Sequence, residues 1–285
     1  MTIQTNLIEN LLVFLNYMEL EAVRKSIVSF IKTEVHNRGT TGAVIGVSGG
    51  IDSAVMVALA AEALGNEHVF GLILPDSDIT PISDVIDATN LCIKLNIEFR
   101  KIYINEPKAG FQKILDETEN RLLQGNLVAR IRMCIMYYYS GLLKKLVLGT
   151  SNKTELELGY FTKYGDGGAD LLPLGDLYKT NVFELARHLN IPENITNKKS
   201  SARLWPGQVT EEELGVSFPL LDGILKRINE LYCAVDSKKV YDLDEKIIKD
   251  LAEDFPSIDL DSIRGVYKLS RLNRHKVTPP PVCKF

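Results

Sequence analysis

The sequence predicts an α/β fold, an open parallel sheet flanked by helices, and three observations carry that prediction. Short runs rich in β-branched and aliphatic residues alternate with helix-length segments of helical hydrophobic spacing. The first run passes through a Gly-Gly turn straight into a helix. Three of the four runs end in small polar segments.

The runs are AVIGVS at 43–48, HVFGLILP at 68–75, EFRKIYI at 98–104 and KLVLGT at 145–150, and the helical patterns between them cover 52–64, 82–95 and 110–143. Strands joined through helices run parallel, because only a crossover returns the chain to the same end of the sheet. Ahead of the first run, Leu7, Leu11, Phe14, Leu15, Met18, Val23, Ile27, Phe30 and Ile31 recur at helical spacing. They predict one or two amphipathic helices over 3–36, covering the core or a partner subunit. Beyond residue 160 the chain is loop-rich, with helical patterns at 180–190, 217–232 and 242–272, and the prolines of NRHKVTPPPVCKF predict an extended tail. At 285 residues with 45% apolar residues, one domain is expected: N-terminal helices over 1–36, an α/β core over 41–190, and a loop, C-terminal helices and tail over 191–285.

Composition excludes several classes. A formal net charge of −4 provides no global basic field, so neither nucleic acid nor a membrane is expected as a partner. Cys92, Cys134, Cys233 and Cys283 form no C-x-x-C pair and have no histidines at ligand spacing, which predicts reduced structural thiols. The N-terminus has no basic n-region and no small-residue cleavage site, which predicts a cytoplasmic protein.

The stretch GVSGGIDSAV, 46–55, carries the most chemistry. A strand feeding a Gly-Gly turn and then a helix aims backbone N–H groups and the positive helix end at one spot, which suits an anion. Ser48 and Ser53 add hydroxyl donors, and Asp52 can hold a cation that neutralises phosphate. No G-K-[ST] follows, so this is not a Walker loop. The same residues would also suit a plain capped helix start with Asp52 or Ser48 as N-cap. Elsewhere, Arg130 suits bidentate contact with a carboxylate or phosphate, or an exposed helix charge. Thr150 can offer its hydroxyl to a ligand hydroxyl or phosphate, and Glu155 can share a metal with Asp52 or be a solvated helix carboxylate. FTKYGDGGAD sets Lys163 and Asp170 about a glycine-rich turn that could fold over a ligand or be a surface loop.

GVSGGIDSAV resembles the S-G-G-x-D-S loop of the N-type ATP pyrophosphatases, which binds the pyrophosphate released when ATP adenylates a substrate. GNLVARIRM at 125–133, GYFTKYGDGGADLLPLGDLYKT at 159–180 and LWPGQVTEEELG at 204–215 are similar to the NAD synthetase family, and the likeness runs in order from about residue 20 to His275 and Lys276. The resemblance implies a Rossmann-like sheet of the adenine nucleotide alpha hydrolase kind and ATP-dependent amidation of deamido-NAD(+) to NAD(+) through a nicotinate acyl-adenylate. It places ATP on Gly46, Val47, Ser48, Gly49, Gly50, Ile51, Asp52, Ser53, Thr150, Lys179 and Ser201, with Ser48, Asp52 and Ser53 catalytic. Deamido-NAD(+) falls to Arg130, Lys163, Asp170, His275 and Lys276, and Mg²⁺ to Asp52 and Glu155.

The resemblance also implies a homodimer with the dinucleotide site near the subunit interface, for which the N-terminal helices and the helix through ARIRMCIMYYYSGLL are the candidate surface. GTSNKTE stands where many ammonia-dependent members have G-T-D-H-A-A-E and is closer to the glutamine-dependent form; Ser201 replaces a common threonine. Only about 40 residues precede the first strand, too few for the nitrilase-like domain of glutamine-dependent members. Free ammonia is therefore the expected donor, with a separate glutaminase as an alternative supply. A tRNA-modifying ligase would share only the S-G-G-x-D-S loop, and a silent nucleotide-binding regulator would not need Asp52, Glu155 and Lys179.

Overall fold

A computed structural model describes residues 3–233 and 243–284, with side chains given from residue 18 onward and not for 232, 233, 243 and 244. The expectations for the Leu7, Leu11, Phe14, Leu15 and Cys233 side chains lie outside the described residues. The elements follow in the order α1 (Ile3–Asn37), β1 (Ala43–Gly46), α2 (Ile51–Leu64), β2 (Val69–Ile73), α3 (Ile82–Lys94), β3 (Glu98–Lys101), α4 (Asn105–Gln112), α5 (Arg121–Leu143), β4 (Leu146–Leu148), α6 (Lys153–Leu158), α7 (Lys179–His188), α8 (Glu193–Thr196), α9 (Thr210–Leu214), α10 (Phe218–Cys233), α11 (Leu243–Asp254) and α12 (Leu260–Leu272).

The four strands form one parallel sheet in the order β3-β2-β1-β4. This is the predicted open α/β sheet. β1 is central: Val44 stands in register with Phe70 on one side and Val147 on the other. Period-two alternation then divides its side chains between two cores. Ala43 and Ile45 join the core formed with α1, α2 and α7, while Val44 joins Phe70 and Leu72 against Val128, Ile131 and Tyr139 of α5. A strand buried on both faces reads as a continuous apolar run, which is why AVI was legible. α2 is apolar around nearly its whole circumference, with Ala54, Val55, Met56, Val57, Leu59 and Ala60 all fully buried, so it is a central helix. A third core joins α10, α11 and α12 to Leu158 of α6.

Several boundaries differ from the expectation. The N-terminal pattern is one helix, which buries Ile27, Ile31 and Val35 at i, i+4 spacing and leaves Met18 and Phe30 exposed. The pattern over 110–143 is two helices, because the Asn120 side chain caps the start of α5 by accepting from the N–H groups of Leu122 and Leu123 at 3.0 and 3.3 Å. The pattern over 242–272 is also broken: Pro256 follows the end of α11, and Asp259 caps α12 through the N–H of Ser262 at 2.9 Å. The tail does not run extended from its start, since 273–276 form a 3₁₀ turn. The strands end two or three residues earlier than their runs, although single backbone bonds continue past them. Val47 N–H still donates to the Leu72 carbonyl at 2.8 Å. Among the described cysteines, Cys92, Cys134 and Cys283 are free, and burial pushes the Cys92 thiol up to about 12.

Truncation should separate the central helix from the surface. Leu59→Ala is expected to cost about 2–5 kcal/mol in denaturant unfolding, whereas Ile93→Ala on the exposed face of α3 should stay within about 1 kcal/mol.

Candidate functional site

The carboxyl ends of β1, β2 and β4 converge on a cavity of about 280 Å³, where an open parallel sheet binds its ligands. Its floor is the turn from Gly46 to Ser53. Gly49 has φ +79°, and a Cβ there would sit 2.2 Å from the Asp84 carbonyl oxygen, so both backbone shape and close approach require glycine. Gly50 is the N-cap of α2, in extended conformation and with no side-chain cap. This removes the capped-start alternative: neither Asp52 nor Ser48 is the N-cap, and the amino end of α2 faces the cavity. Ser53 Oγ donates to the Gly50 carbonyl at 2.9 Å and lies 3.1 Å from Ser48 Oγ, which accepts from Gly50 N–H at 3.2 Å. The two hydroxyls lock the turn and leave the amino end of the helix free for an anion.

Asp52 projects from the first turn of α2. Asn152 Nδ2 donates to its Oδ1 at 2.9 Å and Lys179 Nζ to its Oδ2 at 2.5 Å. Asn152 has a second task. With Glu155 it forms the capping box of α6, accepting from Glu155 N–H at 3.1 Å while Glu155 Oε2 accepts from Asn152 N–H at 3.2 Å. The segment SNKTE therefore places Glu155 at the same point as Asp52, with Lys179 Nζ 3.9 Å from Glu155 Oε1. Lys179 itself is buried, and its ammonium also lies over the rings of Phe183 and Phe218 at 5.8 and 5.5 Å. Behind it, Asp222 of α10 accepts from Thr154 Oγ1 at 2.5 Å and from Thr180 N–H at 2.9 Å, and Thr154 Oγ1 accepts from Lys179 N–H at 2.9 Å.

Burial would lower the Lys179 ammonium, but the charges of Asp52 and Glu155 outweigh it and the net shift is upward. Glu155 is pushed up to about 8, first by burial and then by the charge of Asp52. Among the described residues no group of three or more His, Cys, Asp or Glu is gathered as a metal cluster. Two carboxylates beside an anion seat remain a fit for a hard cation completed by phosphate oxygens, which is how Mg²⁺ is usually held. Thr150 and Ser201 also line the cavity.

The five residues expected for the dinucleotide do not line this cavity. Four form a chain beside it: Arg130 Nε donates to the Lys163 carbonyl at 3.3 Å, Lys163 Nζ to the His275 carbonyl at 2.8 Å, and Lys276 Nζ to the carbonyls of Gly159 and Phe161 at 2.6 and 3.0 Å. These bonds tie α5, the glycine-rich loop and the tail together. Asp170 stands apart, its Oδ2 accepting from Val147 N–H at 2.8 Å and its Oδ1 from the Tyr137 hydroxyl at 3.3 Å.

The structure adds residues that sequence reasoning missed. Ala129, Arg132, Met133 and Met136 form an i, i+3, i+4, i+7 stripe of α5 along the cavity wall, from which Arg130 is excluded. That spacing was present in ARIRMCIM, and only the first arginine was singled out. Arg132 Nε donates to the Leu74 carbonyl at 3.0 Å, and burial lowers its guanidinium. Asp166, Asp84, Lys198 and Arg203 also line the cavity, and no local pattern marked them.

The tight approach at Gly49 is directly testable. Gly49→Ala combines an unfavourable φ with a backbone clash and should cost more than about 1 kcal/mol by thermal or denaturant unfolding.

Comparison with known proteins agrees with this geometry over nearly the whole length. The NAD synthase family model matches residues 23–280. NH(3)-dependent NAD(+) synthetases from Methanosarcina acetivorans and Archaeoglobus fulgidus are each 43% identical over 267 residues, covering 93% and 94% of this chain and 98% of each relative. Among solved structures, NMN synthetase from Francisella tularensis superposes with a TM-score of 0.76 at 33% identity, covering 93% of this chain and 99% of that one. NH3-dependent NAD synthetase from Campylobacter jejuni gives 0.74 at 33% identity, with the same coverage. Given a parallel sheet whose Gly-Gly turn opens the amino end of a buried helix to a cavity, and a match that spans 23–280, the chain belongs to the NAD synthase family.

Proposed function

We propose that the chain amidates deamido-NAD(+) to NAD(+) with ammonia, consuming ATP and releasing AMP and pyrophosphate. The observation that carries this is the convergence of the uncapped amino end of α2, the Ser48 and Ser53 hydroxyls, and the Asp52–Lys179–Glu155 group on one cavity. An oxygen of the nicotinate carboxylate attacks the α-phosphorus of ATP, and the α–β bridging bond breaks. Ammonia then adds at the acyl carbon, loses a proton, and AMP departs.

The chain's residues position and neutralise rather than attack. The turn N–H groups, Ser48 and Ser53 receive the leaving pyrophosphate, the most favourable place for charge that grows as the bond breaks. Lys179 holds positive charge at the same point. Thr150 and Ser201 supply hydroxyls to the nucleotide. Asp52 and Glu155 would hold Mg²⁺, which neutralises the phosphate oxygens. Arg130, Lys163, His275 and Lys276, with Asp170, hold the dinucleotide beside the cavity. A homodimer fits this division, since α5, which carries Arg130, also exposes Leu122, Leu123, Tyr138 and Leu142. The chain is read as one domain with N-terminal helices over 1–36, an α/β core over 41–190 and the loop, C-terminal helices and tail over 191–285; packing crosses these limits, since Ile27, Ile31 and Val35 share a core with β1 and α2, and Leu158 joins the C-terminal helices. No helix among the described residues is long and apolar enough to cross a membrane, in keeping with a cytoplasmic enzyme.

The likeness to the Francisella NMN synthetase supports a second reading, in which the acid is the mononucleotide. One assay decides among the donors and acids: product formation with ATP and Mg²⁺, comparing ammonia with glutamine and deamido-NAD(+) with nicotinate mononucleotide. Efficient turnover with deamido-NAD(+) and ammonia is expected. A preference for the mononucleotide, or turnover with glutamine by the purified chain, would overturn the corresponding part.

Asp52→Asn should reduce pyrophosphate release by about 100-fold or more. Release at the parent rate would remove Asp52 from the site. Asp52→Ala should in addition lose about 1–3 kcal/mol of stability, because the buried Lys179 ammonium keeps only its more distant partner.

A further inference from the structure

Asp84 lies buried in the first turn of α3, and both of its carboxylate oxygens are engaged by a segment more than 100 residues later. Lys198 Nζ donates to Oδ1 at 2.8 Å and Arg203 Nε to Oδ2 at 2.9 Å. Lys198 also donates to the Gly49 carbonyl at 3.2 Å and pairs with Asp87. The Asp84 backbone is itself packed against Gly49 closely enough to exclude a Cβ there. One carboxylate thus joins the phosphate-facing turn, α3 and the 198–203 loop, and all three line the cavity.

Between the two cations stand Ser200 and Ser201. Ser201 Oγ accepts from Arg203 N–H at 3.1 Å, while Ser200 Oγ is buried with no hydrogen-bond partner among the described residues. Arg203 has φ +51°, a region that an arginine leaves unless something holds it. The charge-assisted bond to Asp84 supplies that hold. Lys198 and Arg203 are matched in charge by Asp84 and Asp87, so the assembly brings a loop to the cavity without adding a net field.

We propose that Asp84 is a positioning residue for ATP: by gripping Lys198 and Arg203 it sets the 198–203 loop against Gly49, so that Ser200 and Ser201 face the nucleotide. This rests on the proposed presence of ATP in the cavity. Placement and field make opposite predictions. Removing the Asp84 charge leaves a net positive group beside the phosphates, so a field role would tighten ATP binding, whereas loss of placement weakens it.

The test uses the full chain in Mg²⁺, with ATP affinity measured calorimetrically without dinucleotide and loop order read from trypsin cleavage after Lys198, Lys199 and Arg203. Asp84→Asn should raise the Kd for ATP by about 10-fold or more and speed loop cleavage by a similar factor, with the KM for ATP rising more than that for the dinucleotide. Arg203→Gly removes one arm of the grip while relieving the backbone, so it should fold and show the same two changes in weaker form. Parent-like or tighter ATP binding with parent-like cleavage in Asp84→Asn, or in Arg203→Gly should Asp84→Asn not fold, overturns the proposal and leaves the functional reading standing. A parent chain that binds ATP but forms no NAD(+) overturns the functional reading and not this one.

Discussion

A lysine ammonium removed from water is tolerated only where opposite charge replaces its hydration, and Lys179 meets that condition at the centre of this molecule. Its partner Asp52 comes from the end of β1 through α2, and Glu155 from the end of β4 through α6. Thr154 and Asp222 fix the peptide at the start of α7 behind it. The sheet order places β1 beside β4, so the two carboxylates emerge from neighbouring strand ends; the pairing of strands and the charge balance of the site are one constraint. With Glu155 held above the usual carboxylate range by burial and by Asp52, the site is short of positive charge. A hard cation held between the two carboxylates would supply that charge.

Much of the fold could be read from the chain because its signals are local. Apolar runs marked β1, β2 and β4, the β-rich run EFRKIYI marked β3, and the Gly-Gly turn marked the loop that floors the cavity. What could not be read depended on partners distant in sequence. The breaks inside 110–143 and 242–272 were marked by Asn120 and by Pro256 with Asp259, but apolar periodicity on both sides masked them. For Glu155 the residues alone left a solvated helix carboxylate open beside the role with Asp52, and the capping box with Asn152 that positions it became visible only in the fold. Asp84, Lys198 and Arg203 left no local trace, since each is ordinary in its own segment and acquires its role only where three segments meet.

The residues expected for the two substrates occupy two settings. Those for ATP line the cavity, whereas Arg130, Lys163 and Lys276 donate to backbone carbonyls beside it, Lys163 to that of His275. Lysines that donate to carbonyls order the loop and the tail as much as they attract anions. The surface proposed for the dinucleotide is thus organised by the same cations that would contact its phosphates. This differs from the turn at 46–53, where helix geometry alone does the ordering.

Asn152 has a bearing on how the molecule comes into being. It caps a six-residue helix locally, yet its amide reaches Asp52 across 100 positions, Lys179 reaches the same carboxylate across 127, and Thr154 meets Asp222 across 68. None of these pairings repays its loop-closure entropy until the sheet and the C-terminal helices are both in place. The charges of Asp52 and Lys179 thus depend on long-range closure rather than on any one local segment.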